Sequence, residues 1–159
     1  MLRVRLITVG TLKEDYLRAA TAEYEKRLGA FCRFELVQLK EERLPELPSQ
    51  NEITAALQKE AVRICEQIPS TAFCVAMCVE GKQLTSEAFA KKLENIAMEK
   101  SEICFVIGSS YGLSDTVKSR ADMRMSVSEL TFPHQLMRVV LLEAIYRAFN
   151  IQKGTKYHK

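Results

Sequence analysis

Two stretches of the chain, Ala72-Phe-Cys-Val-Ala-Met-Cys-Val79 and Ile103-Cys-Phe-Val-Ile107, are apolar at every position. A strand with one face in water alternates apolar and polar residues, so a strand that never alternates needs cover on both faces. Helices packed on both sides of a parallel sheet supply that cover. The two runs therefore predict central strands of an alternating α/β domain, with a mostly parallel sheet of five strands.

The remaining segments switch between strand and helix periods as that architecture requires. Residues 2–9 begin as an alternating strand and end as a buried one, and Gly10-Thr11 breaks it. Leu17, Ala20, Tyr24 and Leu28 recur at helical spacing. Gly29 is expected to stop that helix in the C′ position, where glycine is favoured because the backbone turns left-handed. A second strand follows near 31–39, then a loop marked by Pro45 and Pro48. Ser49 and Glu52 have the S-x-x-E spacing of a capping box ahead of Ile53, Leu57, Ala61, Ile64 and Ile68. Between the two apolar runs, Phe89, Leu93 and Ile96 line one face of a helix opened by Thr85 or Ser86. A short strand near 123–127 and the peptide Ser128-Glu-Leu-Thr-Phe-Pro133 lead into a long final helix of about 134–150. No internal repeat, linker or low-complexity tract interrupts the pattern. A chain of 159 residues fits one domain, residues 1–159, and folding at that size buries roughly 70% of the unfolded surface.

The final helix carries Val139-Val-Leu-Leu142 and then Ala144, Ile145, Ala148 and Phe149. These cover most of its circumference. A helix apolar nearly all round is buried on more than one side, and the cover is either a deep position in the monomer or the same helix of a second copy. A twofold homodimer meets that demand with one self-complementary patch.

Five cysteines, at 32, 65, 74, 78 and 104, show no C-x-x-C spacing, and only His134 and His158 could join them. Zinc-ligand spacing is absent, so no metal site is expected. The thiols read as reduced residues, pointing to the cytoplasm. Arg3 and Arg5 stand where a signal peptide needs apolar residues, and no run of about 18 apolar residues would span a membrane. The formal net charge is +3. The last 40 residues hold seven Lys/Arg against three Asp/Glu, while the first 119 hold sixteen against seventeen. The basic excess thus lies at the C-terminal end, as a polyanionic partner or ordinary solvated surface would have it.

Open α/β sheets bind ligands beyond the carboxyl ends of their strands. Three loops qualify: Glu80-Gly81-Lys82, Gly108-Ser-Ser-Tyr-Gly112-Leu113, and Val127 to Phe132. Gly108 directly after a buried strand lets backbone approach a ligand, although glycine there also serves turn geometry alone. No G-x-x-x-x-G-K-[ST] phosphate loop follows Gly108, and the first strand lacks G-x-G-x-x-G. The literal G-x-S-x-G match around Ser110 fails as a hydrolase because the histidines come only near the end of the chain.

Val9-Gly10-Thr11, Tyr24-Glu-Lys-Arg-Leu28, Glu80-Gly-Lys82, Phe105-Val-Ile-Gly108 with Gly112-Leu113, Leu130-Thr-Phe-Pro-His134, Met137-Arg-Val-Val140, Tyr146-Arg147-Ala148 and Tyr157-His158-Lys159 form a set. Through these the whole chain resembles the RlmH-type ribosomal large-subunit pseudouridine N3-methyltransferases of the SPOUT superfamily. Two positions depart from that pattern: Cys78 stands where the family usually has an acid, and Ser109 where it has a second glycine.

The resemblance implies a SPOUT-type α/β knot, with a C-terminal trefoil threaded against the general avoidance of knots, and an obligate homodimer. It implies S-adenosyl-L-methionine as cofactor, held by Met77, Gly108, Val127, Ser128, Glu129, Leu130, Thr131 and Phe132, much of it through backbone. Met77 and Phe132 equally suit core packing. The implied substrate is N3 of a pseudouridine in helix 69, the decoding-region helix of 23S rRNA, on assembled ribosomes. Removing the imide proton calls for a base or a stabilising cation, with Arg138, Tyr157 and His158 as catalytic candidates and the tail closing over the base. His134 is an alternative base or a helix-start packing residue. Arg124, Arg147, Lys153, Lys156 and Lys159 would contact RNA phosphates. A knotted RNA-binding or ribosome-assembly factor without methyl transfer, and a flavodoxin-like small-molecule enzyme, are the other readings.

Overall fold

Five strands, β1 (Arg3–Val9), β2 (Arg33–Leu39), β3 (Phe73–Gln83), β4 (Glu102–Ile107) and β5 (Met123–Ser126), form one sheet in the order β2-β1-β4-β3-β5. The computed structural model describes residues 1–159. Every neighbouring pair is parallel, so the carboxyl ends of all five strands lie along one edge. The structure thereby places β3 and β4 inside the sheet, as their unbroken apolar runs require.

All six residues of β4 are buried, and their side chains divide between two cores. Ile103, Phe105 and Ile107 join Val4, Leu6, Val75 and Met77 on one face. Cys104 and Val106 join Ile7, Val9, Cys74 and Ala76 on the other. Helices α1 (Asp15–Leu28), α3 (Ser86–Glu99) and α5 (His134–Lys153) cover the first face. Helices α2 (Gln50–Glu66) and α4 (Asp115–Arg120) cover the second. Each large apolar side chain buried there contributes about 1.5–3 kcal/mol, which is why neither face tolerates the polar alternation of a half-exposed strand. All five cysteines are free thiols. Burial raises the pKa of Cys74 and of Cys104, each to about 12.

The capping box forms as spaced. Ser49 Oγ accepts from the Glu52 amide at 3.1 Å, and Glu52 Oε1 accepts from the Ser49 amide at 3.1 Å. Thr85 is the residue that opens α3, accepting from the Ala88 amide at 3.0 Å.

Three details differ from expectation. Gly29 ends α1 with a right-handed φ of −57°, because the Phe31 and Cys32 amides both return to Leu28 O in a tight turn. The glycine that ends a helix in the left-handed conformation is Gly154, φ 67°, and α5 continues to Lys153 rather than ending near 150. The polar residues Glu80 to Gln83 remain in β3, and the register with β5 jumps between Met77 and Lys82, both opposite Met125.

Helix α5 lies between α1 and α3. Its inner face buries Arg138, Leu141, Leu142, Ile145, Ala148 and Phe149. Phe149 stacks on Phe31 with ring centres 5.7 Å apart, and Tyr146 meets Phe31 and Tyr24 edge-on. Leu136, Val139, Val140 and Ala144 remain only half-buried. No helix is long and apolar enough to cross a membrane.

Candidate functional site

The ends of β3, β4 and β5 open onto a cleft of about 680 Å³, within the range of sites for small organic ligands. Its walls are residues 77–80, the loop 107–113, residues 125–128 and 130–134, with Lys118 and Met137. Gly108 is required by contact as well as by chain direction. A Cβ there would stand 2.1 Å from Gly112 O. The loop then closes on itself through Gly112 N to Ser109 O at 2.8 Å, and Gly112 takes a φ of +86° that side-chain-bearing residues rarely adopt. Gly81 is pressed as closely onto β5, where a Cβ would meet the Met125 carbonyl carbon at 2.6 Å.

The third wall is shaped by serines. Ser126 Oγ donates to Ser128 O at 2.9 Å, and Ser128 Oγ accepts from the Leu130 amide at 3.0 Å. Pro133 ends the segment by starting α5, its carbonyl accepting from the Met137 amide at 2.9 Å. Strand ends, loop and helix start are thus brought around one space by backbone hydrogen bonds.

Met77, Gly108, Val127, Ser128, Leu130, Thr131 and Phe132 line this cleft, and so do Cys78 and Ser109. Glu129 does not. Met77 is buried in the core cluster while also reaching the cleft wall. Arg138, Tyr157 and His158 lie elsewhere. Arg138 is fully buried and donates to Gln38 Oε1, Val9 O and Gly10 O. Tyr157 donates to Glu143 Oε2 at 2.7 Å. His158 sits between Arg147 Nη1, 3.2 Å from its Nδ1, and Glu87 Oε1, 2.7 Å from its Nε2. The tail is therefore fastened over α5 and the start of α3 of its own subunit.

One cleft residue, Lys118, gave no signal of its own in the sequence. Lys118 comes from α4, a six-residue helix with a single buried apolar side chain, Val117. Its ammonium pairs with Glu80 Oε1 at 2.5 Å. That contact holds the Glu80 carboxyl below its ordinary pKa. Cys78 is pushed up, by burial first and by Glu80 second, against Lys118 and Arg124, so it remains a thiol. His134 is lowered by burial, with Arg138 and Lys13 adding to the effect and Glu41 opposing it. Its imidazole is therefore mostly neutral at pH 7.

The cleft thus combines apolar walls, exposed backbone, one internally neutralised ion pair and one neutral imidazole. It suits a nucleoside-sized ligand with little net charge. The walls fit S-adenosylmethionine: Met77, Val127 and Phe132 offer apolar cover for a purine, and the missing Cβ of Gly108 lets residues 112–113 fold close beneath the wall.

Residues 2–158 match a family model described as "Predicted SPOUT methyltransferase". A protein of Streptococcus thermophilus (strain ATCC BAA-491 / LMD-9) named "Ribosomal RNA large subunit methyltransferase H" is 52% identical over 159 residues, which is 99% of this chain and 100% of that one. Proteins of the same name from Leuconostoc citreum (strain KM20) and Latilactobacillus sakei subsp. sakei (strain 23K) are 48% and 46% identical over the same shares. Among solved structures, a probable methylase family protein from Haemophilus influenzae Rd KW20 aligns with a TM-score of 0.56 at 14% identity, covering 98% of this chain and 70% of that one. That last likeness concerns the fold alone.

Proposed function

The chain belongs to the SPOUT methyltransferase family, and from that membership we propose that it methylates N3 of a pseudouridine in helix 69 of 23S rRNA, using S-adenosylmethionine. The observation that carries the reading is identity of about half the residues across the full length of proteins named for methylating large-subunit ribosomal RNA. The cleft at the carboxyl edge of the sheet supports it. We read residues 1–159 as one working domain in the cytoplasm, acting on assembled ribosomes.

When bound, S-adenosylmethionine supplies a methyl group already activated for transfer. The work left to the chain is to hold two reactants at near-attack distance, exclude water and accept the imide proton. In this proposal Met77, Val127 and Phe132 form the apolar walls. The backbone of Gly108 and of residues 128–131 wraps the polar edges, and the loops involved are those threaded by the trefoil. His134, neutral at pH 7 and on the cleft wall, is the alternative base within the same subunit, beside Tyr157 and His158 of the tail.

Tyr157 and His158 face away from the cleft of their own chain, being held by Glu143, Arg147 and Glu87. Their part in the reaction therefore requires the tail of one subunit to meet the cleft of another. The half-buried apolar face of α5 is the surface through which we pair the two copies. Arg124, Arg147, Lys153, Lys156 and Lys159 then supply phosphate contacts from both subunits, and affinity for RNA falls steeply with salt.

Calorimetry with S-adenosylmethionine, compared with adenosine triphosphate and nicotinamide dinucleotide, tests the cofactor. Labelled-methyl transfer to ribosomes from a strain lacking the enzyme tests the reaction. Selective binding and one labelled pseudouridine are expected. Absence of cofactor binding would favour an RNA-binding assembly factor, and binding of a different nucleotide a small-molecule enzyme.

A further inference from the structure

Of eight large apolar side chains exposed on the chain, three stand on the rim of this cleft: Val79, Tyr111 and Leu130, at 51%, 46% and 75% exposure. They come from three separate segments, the end of β3, the loop after β4 and the segment after β5. Tyr16 and Tyr111 are the two exposed tyrosines, and only Tyr111 lies at the cleft. Tyr24, Tyr146 and Tyr157 meet edge to face in one cluster, whereas Tyr111 has no aromatic neighbour. Its backbone is nevertheless fixed. The Ser109–Gly112 bridge and the 2.8 Å hydrogen bond from Gly112 N to Ser109 O hold the turn that carries it. A rigid turn that presents an unpaired ring at the mouth of a binding cleft has the form of a stacking platform.

We propose that Tyr111 stacks against the extruded target base of the RNA, with Val79 and Leu130 closing the edges of that seat. The inference rests on the methyltransferase reading and adds the residue that receives the substrate. Its chemistry follows from the reaction. A base whose N3 edge must reach a methyl donor inside a cleft has to leave its own stack. It then loses two neighbouring π-faces, and an aromatic side chain restores one of them. A second copy of the chain is the weaker occupant for this rim. The apolar surface suited to a copy is the half-buried face of α5 formed by Leu136, Val139 and Val140, none of which lines the cleft.

The test is a ring series, Tyr111→Phe, Tyr111→Trp, Tyr111→Leu and Tyr111→Ala, assayed for methyl transfer to unmodified ribosomes. Binding of S-adenosylhomocysteine is measured by calorimetry and subunit assembly by sedimentation. Phe and Trp should keep kcat/KM within about threefold of wild type, while Leu and Ala lose roughly ten- to a hundredfold, the range of one base–aromatic stack. The loss should appear in KM for ribosomes, with affinity for S-adenosylhomocysteine within about twofold and assembly unchanged. Leu matching Phe would overturn the stacking, since apolar bulk would then suffice. A parallel loss of S-adenosylhomocysteine binding would make Tyr111 part of the cofactor wall, and dissociated subunits would make it an interface residue; either result overturns the proposal. Wild-type protein that binds no S-adenosylhomocysteine would instead overturn the methyltransferase reading beneath it.

Discussion

Arg138 and Gly10 stand 128 residues apart in sequence and are joined by a 2.8 Å hydrogen bond from the guanidinium Nη2 to the backbone carbonyl. The same nitrogen reaches Val9 O at 3.2 Å, and Nη1 reaches Gln38 Oε1 at 3.2 Å. A single side chain of α5 thus ties together the carboxyl ends of β1 and β2. No carboxylate forms an ion pair with it. Burial lowers the guanidinium pKa, with Glu41 opposing, so carbonyl and amide dipoles are what hold the cation in place.

Replacing Arg138 by Met should therefore destabilise the fold by about 3 kcal/mol, since three hydrogen bonds are lost and two buried carbonyls are stripped of a donor. The urea midpoint measures this. Arg138→Lys should recover only part of it, because an ammonium cannot span the three acceptors that the planar fork reaches. Affinity for S-adenosylhomocysteine should fall in the same order, as His134 and Met137 of the cleft wall are carried on the same turns of α5.

Gly108 and Gly112 separate close approach from backbone conformation. Gly108→Ala places a methyl 2.1 Å from a carbonyl oxygen that cannot move without opening the loop. Calorimetry should show S-adenosylhomocysteine binding weakened more than about tenfold, because that loop forms one wall of the cleft. At Gly112 a methyl meets nothing within 4 Å, but φ is +86°. Gly112→Ala should cost about 1–2 kcal/mol of stability through backbone strain, with a smaller effect on binding.

These contacts mark the limit of what the sequence could disclose. Unbroken apolar runs were sufficient to place β3 and β4 in the sheet interior, and the spacing of Ser49 and Glu52 to place the start of α2, because both signals are local. Glycines 108 and 112 pointed to the cleft for the same reason. Helix α4 escaped notice because six residues with one buried apolar side chain are too short for a helical period, and its Lys118 went with it. The Glu80–Gln83 end of β3 has no apolar pattern, since only one edge pairs there. Nothing in the peptide around Arg138 told whether its side chain would face the cleft or the ends of β1 and β2. The family resemblance supplied roles for Tyr157 and His158, but their actual neighbours, Glu143, Arg147 and Glu87, lie too far along the chain for any spacing rule.

Attachment of the tail should depend on pH from both sides. Burial opposes ionisation of Glu143, but hydrogen bonds from Tyr157, Tyr24 and Arg147 outweigh it, and its pKa is lowered. The stabilisation from such a group is present above the ordinary carboxylate value and is lost as pH falls through the depressed one. Tyr157 is raised, by burial first and by Glu143 second, so its contribution is present below the ordinary phenol value and is lost as pH rises through the raised one. Protection factors at residues 155–159, the exchange rates divided by the intrinsic rate at each pH, should be highest between about pH 5 and 9 and fall at both extremes. Glu143→Gln should speed exchange at pH 7 and flatten the acid limb. An unchanged acid limb would remove Glu143 as the anchor.

The position of the tail also makes a genetic test of subunit sharing decisive. Tyr157 and His158 do not line the cleft of their own chain, while Leu136, Val139 and Val140 leave an apolar face of α5 half-covered. If the proposed pairing through α5 holds, Val140→Arg should leave the protein monomeric in sedimentation at micromolar concentration where wild type is dimeric, because an unpaired charge is costly in an apolar interface. Gly108→Ala should inactivate one kind of subunit at the cleft, and removal of residues 156–159 should inactivate another at the tail. Mixed dimers of the two contain one intact cleft facing one intact tail only if the site is built across the interface. Methyl transfer restored to about a quarter of the wild-type level in the mixture, since about half the dimers are mixed and each regains one of its two sites, with neither parent active, is the expected result. Inactive mixtures that still form dimers would confine each site to a single subunit, and the proton acceptor would then have to be sought among residues already at the cleft, with His134 first.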